Sequence, residues 1–361
     1  MPTPHFHWFL PTTKDDGPFM APADDRYRRP TIGYLADVAR AAERNGFESL
    51  LVPTGSFCED AWVAASAVSQ HTERIRFMVA FRPGFTLPTY SAQAAQTFQK
   101  LTGNRLTVNV VTGGVEPEQQ AFGDWLPKDD RYERTDEFLT VVKGCWDGRP
   151  YTFRGKYYNV QEGGLAEPLP ADERPTIFFG GASAAAQAVA VRHADVQLMF
   201  GEPPPMATER IKVLRAKAAA AGRSISFGIR MHVITRDTAQ EAWTEANRLL
   251  DILPDSLIEA RQAWLRSASA EGQRRISSLH QGHKHDREAL RIYPNIWAGP
   301  GLVAFGSTAL VGSHGEVADR IREYQSIGMD HFVLSGFPKL EEAYRFGEGV
   351  VPLFAQPTGG E

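Results

Sequence analysis

Short apolar runs alternate with helical stretches along most of this 361-residue chain, which restricts it to folds built from repeated strand–helix units. The runs are His5–Pro11, Ser49–Pro53, Ile75–Phe81, Leu106–Gly113, Thr176–Gly181, Val196–Phe200, Ser226–Ile234 and His331–Phe337. The helical stretches that follow them are Thr31–Asn45, Glu59–Gln70, Thr89–Leu101, Arg131–Trp146, Ser183–His193, Ala207–Ala221, Thr238–Leu250 and Leu340–Val351. Eight such units in order predict an α/β chain folded as a (β/α)8 TIM barrel. An open, doubly wound sheet is the runner-up. It ordinarily carries a Gly-rich turn after its first strand, and HWFLPTTKDDG is not one. One domain over residues 1–354 is expected, with a small β excursion at Tyr151–Val160. The largest insertion, about 251–312, falls between strands seven and eight. Its polar middle, Ser267–Asp286, reads as a partly mobile lid, and the tail Ala355–Glu361 as disordered.

Composition bears mainly on partners. The net charge is −4 and no basic stripe is present, so neither nucleic acid nor an anionic membrane is an expected partner. No apolar run reaches transmembrane length, and MPTPHFHWFLP lacks the basic start of a signal peptide. A cytoplasmic protein is expected. Two cysteines, Cys58 and Cys145, give neither a disulfide framework nor a metal motif. His280, His283 and His285 in HQGHKH read as a solvated loop, so no metal is expected.

The seventh run is the most informative. In SFGIRMHVI, Phe227, Ile229, Met231 and Val233 alternate with Gly228, Arg230 and His232. A period of two gives a strand with two unlike faces. In a closed barrel the apolar set faces the helices, and Arg230 and His232 stand at the inner mouth. Arginine stays cationic and histidine titrates near neutrality, so the pair can hold an anionic oxygen and move a proton. A structural ion pair, or a buried histidine bonded to backbone, is the competing reading.

Other strand ends carry polar residues on the same face. They include Thr54, Cys58 and Glu59, then Arg82, then Asn109 and Thr112. In FGGAS, Gly180, Gly181 and Ser183 open a helix whose free N–H groups suit a phosphate, although a tight turn with a serine cap explains them equally well. Cys58 has no basic neighbour in sequence and reads as a small buried residue more readily than as a thiolate. DDRYER, Asp129–Arg134, reads mostly as a solvated helix start from which Tyr132 reaches over the mouth.

Taken together, the blocks WFLPT, CEDAW, NVVTGG, RYER, GEPP, FGIRMHVI, TALVG and LSGFP-x-LEEAYR resemble the bacterial-luciferase-like flavin-dependent monooxygenases. The chain is most similar to the alkanesulfonate monooxygenase branch. The resemblance implies reduced FMN (FMNH2) supplied by a separate NAD(P)H:FMN reductase, dioxygen as co-substrate, a small-molecule substrate and a homo-dimer or homo-tetramer. In that branch an organosulfonate is cleaved to sulfite and an aldehyde. The same resemblance implies that Asn109, Thr112, Tyr132, Gly180, Gly181, Ala182 and Ser183 hold the flavin. Cys58, Arg230 and His232 would stand at the reacting end.

Phe9, Phe200, Ala304 and Phe337 would line the substrate pocket, and three of them depart from the branch. Phe200 stands where Trp is usual, Phe337 where Tyr is usual, and Ala304 where an Arg clamps the sulfonate. Arg230, His232, Arg82 and Lys339 are the cations that could replace that clamp. The alternative is a less anionic substrate, such as a sulfone, an aldehyde or a centre oxygenated at carbon or nitrogen. A deazaflavin-dependent oxidoreductase and a non-catalytic flavin-binding barrel are weaker readings.

Overall fold

The computed structural model describes residues 2–15, 28–280 and 284–355. Strands β1 (His5–Phe9), β2 (Ser49–Val52), β3 (Arg76–Phe81) and β4 (Leu106–Val110) pair in parallel, each with the next. A β5–β6 hairpin (Tyr151–Arg154, Asn159–Gly163) stands apart. Strands β7 (Thr176–Gly180), β8 (Val196–Phe200) and β9 (Ser226–Arg236) continue the parallel run from β4. β13 (His331–Ser335) then joins β9 to β1, so eight parallel strands close into the expected barrel.

The helices between strands start and stop on local signals. In α1 (Ile32–Arg44), Thr31 caps the N-terminus by accepting from the Tyr34 N–H. In α2 (Ala61–Ser69), Asp60 does the same for Val63. In α3 (Pro88–Thr102), Gly103 ends the helix in the left-handed region. The outer faces of the strands pack on these helices, and Phe227, Ile229, Met231 and Val233 all lie in that large core. A smaller cluster fills the barrel axis: Leu51, Met78, Ala80, Phe178, Val196 and Val333, with Phe9 against it. The two-residue period of β9 therefore has the meaning read from the sequence.

The insertion differs from its expected form. After α8 (Ala239–Asp251) come α9 (Asp255–Arg266), α10 (Glu271–Ser277) and the short strands β10 (Arg291–Tyr293) and β11 (Ile296–Trp297). β12 (Ala309–Ser313) follows and runs parallel to β9. β9 is eleven residues long. Its first half pairs with β13 and its second half with β12. α11 (His314–Ser326), closed by a Ser313–Glu316 capping box, leads into β13, and α12 (Lys339–Gly349) follows it.

The polar middle of the insertion carries α10, which has buried contacts. Gln273 of α10 is fully buried, and its Oε1 accepts from the Gly306 N–H at 2.6 Å. Residues 281–283 of the expected mobile stretch, and 356–361 of the expected tail, lie outside the described residues.

Candidate active site

The C-terminal ends of β1 and β13 and the middle of β9 put Phe9, Arg230, His232 and Ser335 on one inner surface. His232 pairs in register with Ser335 across β9 and β13. The Ser335 hydroxyl lies 2.7 Å from Nδ1 of His232 and accepts from Nη2 of Arg230 at 2.9 Å. Arg230 also donates to the Met231 carbonyl, and its guanidinium carbon stands 5.0 Å from the centre of the Phe9 ring. Burial lowers its pKa to about 10, which leaves it cationic at neutral pH. The His232 imidazole is held well below its ordinary value, first by burial and then by the positive charges of Arg230 and Lys339, and is therefore neutral. Its ring packs on Phe337, with centroids 4.8 Å apart.

The other candidate cations of this face are already matched by carboxylates. Lys339 Nζ lies 3.0 Å from Asp15, which is fully buried. Arg82 lies 2.7 Å from Glu118 and stands over the rings of Phe85 and Phe122. Arg230 has no carboxylate partner among the described residues, and burial is the sole cause of its shift.

Cys58 follows β2 and is half-buried. Burial pushes its thiol up to about 11, against a smaller opposing effect from the Thr12 hydroxyl. At neutral pH it is a thiol and not a thiolate nucleophile. Among the described residues, no hydrogen bond joins it to Arg230 or His232.

A second cluster forms where β7 runs into α6 (Ala184–His193). Ser183 caps α6, its Oγ accepting from the Ala186 N–H at 3.3 Å. Gly181 has a φ of +144°, and an added Cβ would fall 2.5 Å from the Ala186 Cβ and 3.3 Å from the Tyr132 hydroxyl. The Gly181 carbonyl accepts from Gln197 at 3.0 Å and that of Ala182 from Gln187 at 3.0 Å, so the turn is braced from below.

Tyr132 reaches this turn from the start of the second turn of α5 (Lys128–Trp146), over the ring of Phe179. Two arginines on either side hold it there. Arg131 makes bonds of 2.9 and 2.8 Å to Glu116, on the short helix α4 (Glu116–Ala121). Arg134 makes bonds of 3.0 and 2.6 Å to Asp124. The expectation that DDRYER is mostly solvated is thus corrected: Arg131 is fully buried and Arg134 nearly so. Each buried guanidinium is matched by a bidentate carboxylate, a buried one at Asp124 and a half-exposed one at Glu116. Thr112 bonds Thr135, which lies one turn beyond Tyr132, at 3.4 Å, and Asn109 is buried on β4 beside Phe178.

The phosphate of FMN fits this second cluster. A helix N-terminus, a serine hydroxyl, a tyrosine hydroxyl and a glycine whose side-chain position must stay empty form a donor-rich cradle for an anion.

The insertion packs against the C-terminal end of β8. Phe200 packs edge-on against Phe305, at 5.6 Å, and a Cβ on Gly272 of α10 would fall 2.9 Å from its ring. Ala304 belongs to the same loop as Phe305, and its N–H bonds the Pro300 carbonyl. Arg275 of α10 grips Glu202, just past β8, with bonds of 2.7 and 2.8 Å, and Arg210 of α7 (Pro204–Ala220) adds a third at 2.8 Å. Sequence reasoning missed Ser335, Glu202 and Arg275. Only Ser335 had a signal, since it shares the inward period of His331 and Val333.

A family model described as luciferase-like monooxygenase matches residues 4–331. The chain belongs to this family. It is accordingly an oxidoreductase of the flavin-dependent monooxygenase type. Three solved structures share the family fold. A long-chain alkane monooxygenase, LadA, superposes with a TM-score of 0.80 at 20% identity, covering 100% of this chain and 94% of that one. DmoA from Hyphomicrobium sulfonivorans gives 0.80 at 21% identity, covering 100% and 91%. EDTA monooxygenase, EmoA, from Chelativorans sp. BNC1 gives 0.78 at 22% identity, covering 98% and 93%. Among the described residues, no helix is long and apolar enough to cross a membrane.

Proposed function

We propose that this family member is the oxygenase half of a two-component system. It takes reduced FMN from a separate NAD(P)H:FMN reductase and cleaves an organosulfonate with dioxygen to sulfite and an aldehyde. Arg230 carries the reading. A largely enclosed cation without a carboxylate partner among the described residues, beside a neutral histidine, supports an anionic group on the molecule that completes the site. Its guanidinium can take over the sulfonate contact that Ala304 has lost. Arg82 and Lys339 are already paired with carboxylates.

In this reading Ser183, Tyr132 and the Gly180–Ala182 turn hold the FMN phosphate, while Asn109 and Thr112 flank the ring. Bound reduced FMN supplies the two electrons that activate dioxygen. One oxygen atom ends in the aldehyde and the other in water. Arg230 orients the sulfonate through charge-assisted bonds, and neutral His232 handles a proton beside it. The Phe200–Phe305 wall and α10 keep bulk water from the reacting centre. Thiol Cys58 contributes bulk and polarity rather than a covalent step.

The test is sulfite release from photoreduced FMN and air across sulfonates ranging from methanesulfonate to sulfonated sugars. Oxygen-dependent sulfite from at least one member is expected. Sulfite from none, with FMN still bound and reoxidised, would sink the sulfonate reading. It would favour the second one, an uncharged substrate against Phe9, Phe200, Ala304 and Phe337, which the cation-free loop at Ala304 supports.

A further inference from the structure

Ser335 is fully buried at the end of β13, where its hydroxyl has two partners among the described residues, Arg230 Nη2 at 2.9 Å and His232 Nδ1 at 2.7 Å. A guanidinium has donors and no acceptor. Arg230 therefore occupies a lone pair of Oγ and cannot take the hydroxyl proton. The remaining partner, Nδ1, is the acceptor for that proton. If Nδ1 carried the ring hydrogen instead, Oγ would receive two donors, and its own proton would be buried with no acceptor. A buried unmet donor is the costlier arrangement.

We infer that Ser335 is a positioning residue: by accepting from Arg230 and donating to His232 Nδ1 it fixes the imidazole as the tautomer protonated at Nε2. It also ties the angle of the ring to that of the guanidinium, so the two groups assigned to the reaction act from one fixed frame. Among the described residues, the charged groups facing the ring are Arg230 on its own strand and Lys339 from α12, both cationic. Neither competes for a ring proton as a carboxylate would, and Arg230, by donating to Oγ, leaves the serine hydroxyl as the donor to Nδ1. The inference that this matters for turnover rests on the monooxygenase reading above; the tautomer itself does not.

The experiment uses the full chain with 15N-labelled histidine, and the His232 signals are assigned by their loss in His232→Asn. Long-range proton–nitrogen correlation at pH 7.5 is expected to show His232 protonated at Nε2 alone. Ser335→Ala is expected to give a mixture of tautomers and Ser335→Thr, which keeps the hydroxyl, the wild-type pattern. Where Ser335→Ala does not fold, Ser335→Cys, a much weaker donor of similar size, is read in its place. Turnover of Ser335→Ala is expected to fall about tenfold or more in kcat, with KM and FMN affinity within about threefold, and to recover in Ser335→Thr. An unchanged single tautomer in Ser335→Ala, or an Nδ1-protonated ring in the wild type, overturns the inference. A changed tautomer with unchanged turnover upholds it and removes His232 from the proposed reaction instead.

Discussion

Arg230 stands with its guanidinium carbon 5.0 Å from the centre of the Phe9 ring, over an aromatic face and, among the described residues, beside no carboxylate. A ring face stabilises a cation by about 0.5–2 kcal/mol, well short of what a desolvated guanidinium gives up on leaving water. The site is completed electrostatically when an anion enters, so substrate charge and Arg230 should be coupled.

Replacing Arg230 with Ala is expected to lower kcat/KM on an anionic substrate by roughly a hundredfold, the size of a lost charge-assisted contact of about 3 kcal/mol. Arg230→Lys should recover part of this, since it keeps the charge and loses the planar fork. FMN affinity should stay within about threefold in both. Steady-state kinetics with a flavin titration decides, and equal kcat/KM in all three proteins would remove Arg230 from the substrate site.

The phosphate cradle makes a separate prediction. Gly181→Ala places a Cβ 2.5 Å from that of Ala186 at a φ of +144°, so the turn must shift. Ser183→Ala removes one donor without that strain. Both should weaken FMN binding, by about tenfold or more for Ser183→Ala, while leaving riboflavin, which lacks the phosphate, nearly unaffected. Equal losses for FMN and riboflavin would place the phosphate elsewhere.

The barrel was legible because its signals are local. Near-continuous apolar runs mark buried parallel strands, and the two-residue period of β9 separates Arg230 and His232 from Phe227 and Ile229. Tyr132, Gly181 and Ser183 were legible as candidates, and the structure brings them together. The insertion was not, since its fixing contacts are distant in sequence. Arg275 and Glu202 are seventy-three residues apart, and one of the three charged side chains that make α10 look polar is spent on that buried partner. Arg131 and Arg134 misled for the same reason. β12 was passed over as a five-residue run whose partner is the extended end of β9.

The Arg275–Glu202 pair holds α10 against the end of β8, and a closing role for α10 can be tested through it. Arg275→Met should loosen α10, speeding proteolysis within residues 267–280 severalfold and raising KM for FMN or substrate. Glu202→Gln should do more harm, because Arg210 then also loses its carboxylate. Bound reduced FMN should slow cleavage in the wild type. Limited proteolysis with mass-spectrometric mapping reads all three, and identical cleavage rates would show that α10 is not a closing element.

The opposite end of the barrel predicts acid sensitivity. His7, with Nδ1 2.7 Å from the Ser49 hydroxyl and Nε2 3.1 Å from His331, is lowered to about 3 by burial, and His331 to about 4. Both are depressed below the unfolded value of about 6.5, so the unfolded chain binds more protons below that pH. Their contribution is present in full above about pH 6.5 and is lost as pH falls toward 4 and then 3. The Tm should fall over this window, and His7→Gln, with less to lose, should show a shallower fall than wild type. Parallel slopes in thermal melts would contradict the assignment.

The most direct measurement is a single turnover of the complex with photoreduced FMN, mixed with oxygenated buffer and either an alkanesulfonate or the matching uncharged methyl sulfone. Oxidised product is quantified for wild type and Arg230→Ala. The expected result is oxygen-dependent sulfite and aldehyde from the sulfonate in the wild type, little product from the sulfone, and a loss confined to the sulfonate in Arg230→Ala. Oxidation of the sulfone at least as fast as of the sulfonate, unaffected by Arg230→Ala, would contradict an anion-binding role for Arg230 and the sulfonate chemistry built on it.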